Sequence, residues 1–191
     1  FMYNTLDSMG YIQNPMFATD GTRFIVGSDY DKTFCIYNSF PSTSGTMADQ
    51  IISTSAIGLA PWDIALYNNT FVAGGFSKVC IWNDATDLSV APDQTFIGSI
   101  GSATFSEIKG VALDQDFLYL ADKSGKVFIW QGIPASSSVN PDYTIDYGSV
   151  MLGRLSSNGE YLCVAQESPA VVYIYKISDL LASNTTAWKT I

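Results

Sequence analysis

Leu118-Tyr-Leu-Ala-Asp-Lys-Ser-Gly-Lys-Val-Phe-Ile-Trp-Gln131 reads as an apolar strand, a small polar turn and a second apolar strand that closes on an isoleucine and an aromatic. Three other stretches have the same form: Phe24-Ile-Val-Gly-Ser-Asp-Tyr-Asp-Lys-Thr-Phe-Cys-Ile-Tyr-Asn38, Phe71-Val-Ala-Gly-Gly-Phe-Ser-Lys-Val-Cys-Ile-Trp-Asn83 and Leu162-Cys-Val-Ala-Gln-Glu-Ser-Pro-Ala-Val-Val-Tyr-Ile-Tyr-Lys176. The closing aromatics Tyr37, Trp82, Trp130 and Tyr175 recur at intervals of 45, 48 and 45 residues and are read as the anchors of the repeat. Self-similarity at a steady period of this kind marks a repeat architecture.

Each copy extends on both sides of the hairpin. Upstream lies a further short strand and turn: Met16-Phe-Ala-Thr-Asp-Gly21, Asp63-Ile-Ala-Leu-Tyr-Asn-Asn69, Gly110-Val-Ala-Leu-Asp-Gln-Asp116 and Met151-Leu-Gly-Arg-Leu-Ser-Ser-Asn-Gly159. Asp20-Gly21 and Asn158-Gly159 suit the positive φ of tight hairpin turns. Downstream, polar linkers lead to Ala48-Asp-Gln-Ile-Ile52, Pro92-Asp-Gln-Thr-Phe-Ile97 and Pro141-Asp-Tyr-Thr-Ile145, each a candidate fourth strand. Four strands per period of about 46 residues make a propeller blade. The fold class is therefore an all-β β-propeller with four four-stranded blades, either a complete four-bladed ring or part of a larger propeller. Residues 1–191 are expected to form one domain, with blades at 14–57, 61–100, 108–147 and 150–191. Blade strands are expected to be buried on both faces by their neighbours, Val171–Tyr175 included, so that alternation gives way to apolar runs.

Composition agrees. Of 18 acidic residues only Glu107, Glu160 and Glu167 are glutamates, so the acid is nearly all Asp, a turn residue and a poor helix former. Eleven Tyr, 11 Phe and 4 Trp suit pleated, half-buried surfaces. A net charge of -9 repels a phosphate backbone and argues against nucleic acid as a partner. No apolar run reaches the roughly 18 to 20 residues of a membrane-spanning helix.

At Val111-Ala-Leu-Asp-Gln-Asp-Phe-Leu-Tyr-Leu-Ala-Asp-Lys-Ser-Gly-Lys-Val-Phe-Ile-Trp130 the sequence resembles the NHL-type repeats of six-bladed and related propellers, and the linker from Ile133-Pro134 to Pro141-Asp142 is similar to those of bacterial members. The resemblance implies the propeller fold. It implies little about function.

The chain has no histidine, which removes the commonest general base and the commonest zinc ligand. Cys35 and Cys80 hold the same repeat position, filled elsewhere by Phe128 and Tyr173, and are expected to be buried free thiols, since adjacent blades lie about 10 Å apart. Asp29-Tyr-Asp31 and Asp114-Gln-Asp116 offer carboxylates to calcium, the one cofactor the sequence leaves open, but turn chemistry accounts for them too. Trp62-Asp63, Glu107 to Lys109 and Arg154 stand at the starts of the innermost strands, where propeller hydrolases such as gluconolactonases place acidic metal ligands. Asp63 and Glu107 are the positions that would ligate a metal if the chain were such an enzyme. The competing reading is a solvated rim. No catalytic residue is assigned.

The function expected is a non-catalytic, extracellular or cell-surface interaction or scaffold propeller, with a carboxylate- and metal-dependent, lactonase-like hydrolase as the alternative. Asn68-Asn-Thr70 and Asn184-Thr-Thr186 match the N-glycosylation acceptor pattern. The partner is expected to be a protein or the chain itself, as homo-oligomer or filament. Residues 1–13 hold Gly10-Tyr-Ile-Gln13, read as a strand that closes the ring by completing blade four or pairs with a neighbour. Closure within one chain is the favoured form.

Overall fold

A computed structural model describes residues 15–43 and 46–191, and in it every repeat is a four-stranded antiparallel meander. Blade 1 holds β1 (Met16–Thr19), β2 (Phe24–Ser28), β3 (Thr33–Tyr37) and β4 (Gln50–Ser53). Blade 2 holds β5 (Pro61–Tyr67), β6 (Thr70–Gly75), β7 (Lys78–Trp82) and β8 (Gln94–Ile97). A small hairpin, β9 (Ser99–Ile100) and β10 (Ala103–Thr104), leads to blade 3 with β11 (Ile108–Leu113), β12 (Phe117–Asp122), β13 (Lys126–Gln131) and β14 (Tyr143–Asp146). Blade 4 holds β15 (Met151–Ser157), β16 (Tyr161–Ser168), β17 (Val171–Lys176) and β18 (Lys189–Thr190), with helix α1 (Ile177–Leu181) in its last linker.

Register gives each blade two distinct faces. Phe24 pairs with Tyr37, Phe71 with Trp82, Leu118 with Trp130 and Leu162 with Tyr175, and the side chains of these anchor pairs form the leading face. One residue along, Ile25 pairs with Ile36, Val72 with Ile81, Tyr119 with Ile129 and Cys163 with Ile174, forming the trailing face. The trailing face of one blade packs on the leading face of the next. One apolar cluster joins Ile25 and Ile36 to Phe71 and Trp82, a second joins Val72 and Ile81 to Leu118 and Trp130, and a third joins Tyr119 and Ile129 to Leu162 and Tyr175. Burial of this kind stabilises by about 25 cal/mol per Å² of apolar surface.

The linkers are tied down by repeated polar contacts. Trp82 and Trp130 are 2% and 1% exposed, and their indole N–H groups donate to the carbonyls of Val90 and Val139 at 3.0 and 3.1 Å. Asp49, Asp93 and Asp142 each accept, at 2.7 Å, from the backbone N–H of the residue after the anchor aromatic, Asn38, Asn83 and Gln131. Blade 4 has α1 in place of such a linker.

The ends of the array bear on two expectations. The fourth-strand position of blade 4 holds β18, which pairs with Tyr173 and Ile174, while residues 1–13, expected to complete that blade or to pair with a neighbour, lie outside the described residues. Inner strands β1, β5, β11 and β15 pack in succession, but among the described residues nothing comparable joins β15 to β1, so these blades form an open arc and not a four-bladed ring. Consequently the burial expected on both faces of Val171–Tyr175 fails. Val172 is exposed because no blade lies beyond it among the described residues.

Candidate functional site: the mouth of the channel

Residues from all four inner strands, Phe17–Thr19, Ile64–Leu66, Val111–Leu113 and Leu155–Ser157, line one central channel. At the end where β5, β11 and β15 begin, the sheet ladders are irregular. The β5–β6 register passes from Pro61 to Asp63 and leaves Trp62 as an extra residue. The β11–β12 register passes from Ile108 to Gly110 and leaves Lys109 extra. In blade 4 the shifts fall between Met151 and Leu152, where β16 carries Glu167 unpaired, and between Leu152 and Leu155, where β15 carries Gly153 and Arg154. A bulge bends its strand and turns a side chain out of the ladder, and bulges favour functional sites. These residues, Trp62, Lys109, Gly153, Arg154 and Glu167, are the ones that line a hollow of about 150 Å³ at the mouth.

The chemistry there is that of paired charges around an aromatic. The Lys109 ammonium lies 3.1 Å from the centroid of the Trp62 ring, and Phe76 meets the same indole edge-on at 5.4 Å. Lys109 Nζ also reaches Glu107 at 2.7 Å, and Lys123 Nζ reaches the other oxygen of Glu107 at 2.9 Å. Arg154 donates through Nη1 to Asp63 Oδ1 and to the Trp62 carbonyl. Asp63 Oδ2 accepts from the Val111 amide at 2.9 Å, so this one carboxylate ties the inner strands of blades 2, 3 and 4 together. The Trp62 indole N–H is buried without a hydrogen-bond partner.

Both carboxylates singled out in the sequence are buried, which overturns the solvated-rim reading of them. Burial pushes the Asp63 carboxyl up to about 6, against the opposing pull of Arg154 and the Val111 amide. Burial also acts upward on Glu107, but the hydrogen bonds and charges of Lys109 and Lys123 outweigh it and hold the carboxyl below its usual value. Asp63 and Glu107 are not gathered into a ligand set: each is engaged by cations, and the described residues contain no group of three or more Cys, Asp or Glu able to hold a metal ion. Asp114 is likewise occupied, accepting from the amides of Asp116 and Phe117 and from the hydroxyls of Tyr119 and Ser157. Sequence reasoning missed Asp122, which is buried and accepts from the amides of Ser106 and Glu107 at 2.9 and 3.0 Å, so fixing where Glu107 stands. Cys35 and Cys80 are buried free thiols as expected, and Cys163 is free and half-buried.

No family model and no curated protein matches the chain. Solved structures do match. Raptor from Chaetomium thermophilum, a WD40 β-propeller protein, aligns with a TM-score of 0.63 at 16% identity, over 93% of this chain and 16% of Raptor. The fold is a β-propeller. At that identity the likeness carries the propeller architecture alone, without a repeat family, and the chain spans about a sixth of the length of Raptor.

Proposed function

We propose that this arc of propeller blades is a protein-binding scaffold whose contact surface is the channel mouth around Trp62, Phe76, Lys109, Arg154 and Glu167. The observation that carries the reading is the convergence of bulge residues from three blades on one hollow, which presents an indole, a guanidinium and an ammonium on a rigid support. Trp and Arg are enriched among the residues that dominate binding energy, and Phe76 adds exposed aromatic surface beside them. Rims and loops on a rigid framework are where such folds carry contacts.

A lactonase-like hydrolase would need acids free to ligate or to move protons. Asp63 and Glu107 instead serve Arg154, Lys109 and Lys123. The extracellular setting is kept as part of the proposal, supported by the exposed asparagines of both acceptor patterns, Asn68 and Asn184. So is the NHL kinship, which rests on the third repeat.

The test is chemical cross-linking capture with the chain as bait, beside a Trp62→Ala/Arg154→Ala variant shown by circular dichroism to keep its β-sheet signal. A partner protein recovered with the parent and lost with the variant is the expected result. Equal recovery with both moves the contact surface away from the mouth.

A further inference from the structure

On the reading of the mouth as a protein-contact surface, on which this assignment rests, we propose that the partner presents an acidic peptide segment there. Its carboxylates are received by Arg154 and Lys123, beside the aromatic surface of Trp62 and Phe76.

The charges at the mouth are layered. Asp63 and Glu107 lie beneath, their side chains each 9% exposed, while the cations that cover them, Arg154 and Lys123, are each 44% exposed. Lys109 is held inside, between Glu107 and the Trp62 ring. A chain of net charge -9 thus turns positive groups outward at the mouth, with their counter-charges sealed below. Complementary charge steers an encounter and selects among partners, so the segment that fits here carries acids.

Donors remain for such acids. Arg154 engages Asp63 and the Trp62 carbonyl through Nη1, and among the described residues its Nε and Nη2 make no hydrogen bond. Those two nitrogens form one edge of the guanidinium, and such an edge receives a carboxylate through two parallel hydrogen bonds. The Lys123 ammonium reaches Glu107 at 2.9 Å and has further N–H groups to give. Exposed Phe76, edge-on to Trp62, offers apolar surface to the rest of the segment. Phe76 and Lys123 stand on blades 2 and 3, which have a neighbour on each side, so their exposure belongs to the mouth and not to an outer face of the arc. Glu167 lines the same hollow and is exposed, so it opposes an acidic segment, and its removal gives a test of its own.

The experiment is fluorescence anisotropy on the full chain, with a labelled peptide of Glu, Ser and Leu as probe and its Gln-for-Glu counterpart as control. The acidic peptide should bind at least about tenfold tighter than the control and weaken as salt is added. Arg154→Met and Lys123→Gln should each weaken it at least about threefold, and Lys123→Gln, at a half-exposed side chain, keeps the test open if Arg154→Met fails to fold. Glu167→Gln should tighten binding. Lys176→Gln, the same loss of charge at the far end of blade 4, should leave it unchanged. Equal binding of the two peptides, no binding of either, or an affinity that Lys123→Gln does not alter overturns the assignment. So does tighter binding of a labelled thymidine oligonucleotide, which would give the mouth to a phosphate backbone. Partner capture lost with Trp62→Ala/Arg154→Ala would still stand after any of these results, so a failure of the acidic chemistry is separable from a failure of the mouth as contact surface.

Discussion

Trp130 shows how one side chain serves both core and linker. Its ring packs with Phe128 between blades 2 and 3, and its N–H holds the Val139 carbonyl. Trp130→Ala should cost about 3 to 5 kcal/mol as a large-to-small core change. Trp130→Phe, which keeps an aromatic ring and loses the hydrogen bond, should cost less. Denaturant unfolding of the two variants checks the order, and a Trp130→Ala protein as stable as the parent would contradict the blade alignment. Asp63 gives the second prediction at this scale. Its carboxyl rises from about 4 in an unfolded chain to about 6 here, so its contribution to stability is full below about pH 4 and is lost as pH rises through about 6. Glu107 has the opposite sign, because its lowered carboxyl stabilises above its usual range and loses that contribution on acidification. Asp63→Asn removes this titration, so the stability of the parent relative to the variant should fall as pH rises from about 4 to about 6. Parallel profiles for parent and variant would contradict the assignment.

Among the elements, the turn between the third and fourth strands is the one whose chemistry repeats most closely. Asp49, Asp93 and Asp142 make the same bond to the backbone in three blades. Asp93→Ala and Asp142→Ala should each cost about 0.5 to 1.5 kcal/mol, the net worth of such a bond. Asp87→Ala, which removes only a local loop contact with Ser89, should cost less in the same melts. These aspartates were visible in the sequence at the heads of the candidate fourth strands, although what they hold was not. The hairpin strands and their anchors were legible because apolar residues and closing aromatics repeat at equal positions, and the strands of all four sheets fall within the ranges expected for the blades. The bulges were not legible. Trp62, Lys109 and Gly153 share no residue type, and a bulge is a property of pairing between two strands, which periodicity along one strand does not record. Their neighbourhood, at the starts of the inner strands, could still be read from Asp63, Glu107 and Arg154. The β9–β10 hairpin and α1 went unseen because each is too short to set a period of its own.

For the molecule as a whole, the account is one of a single interface used three times, trailing face on leading face, with the inner strands brought together at a mouth. Ring closure was the expectation that failed, and the reason is physical: the blade count was read from the repeats, whereas closure depends on the angle between successive sheets, which no residue pattern encodes. The convergence of blades at the mouth is the central claim, and the Asp63–Arg154 pair tests it, because these residues are 91 apart in sequence and belong to blades 2 and 4. The measurement is a double-mutant cycle on unfolding free energy with Asp63→Asn, Arg154→Met and both together. The arc predicts a coupling of about 0.5 to 3 kcal/mol, as for residues in direct contact within one network. Additive effects of the two substitutions would contradict it and separate the blades at the mouth.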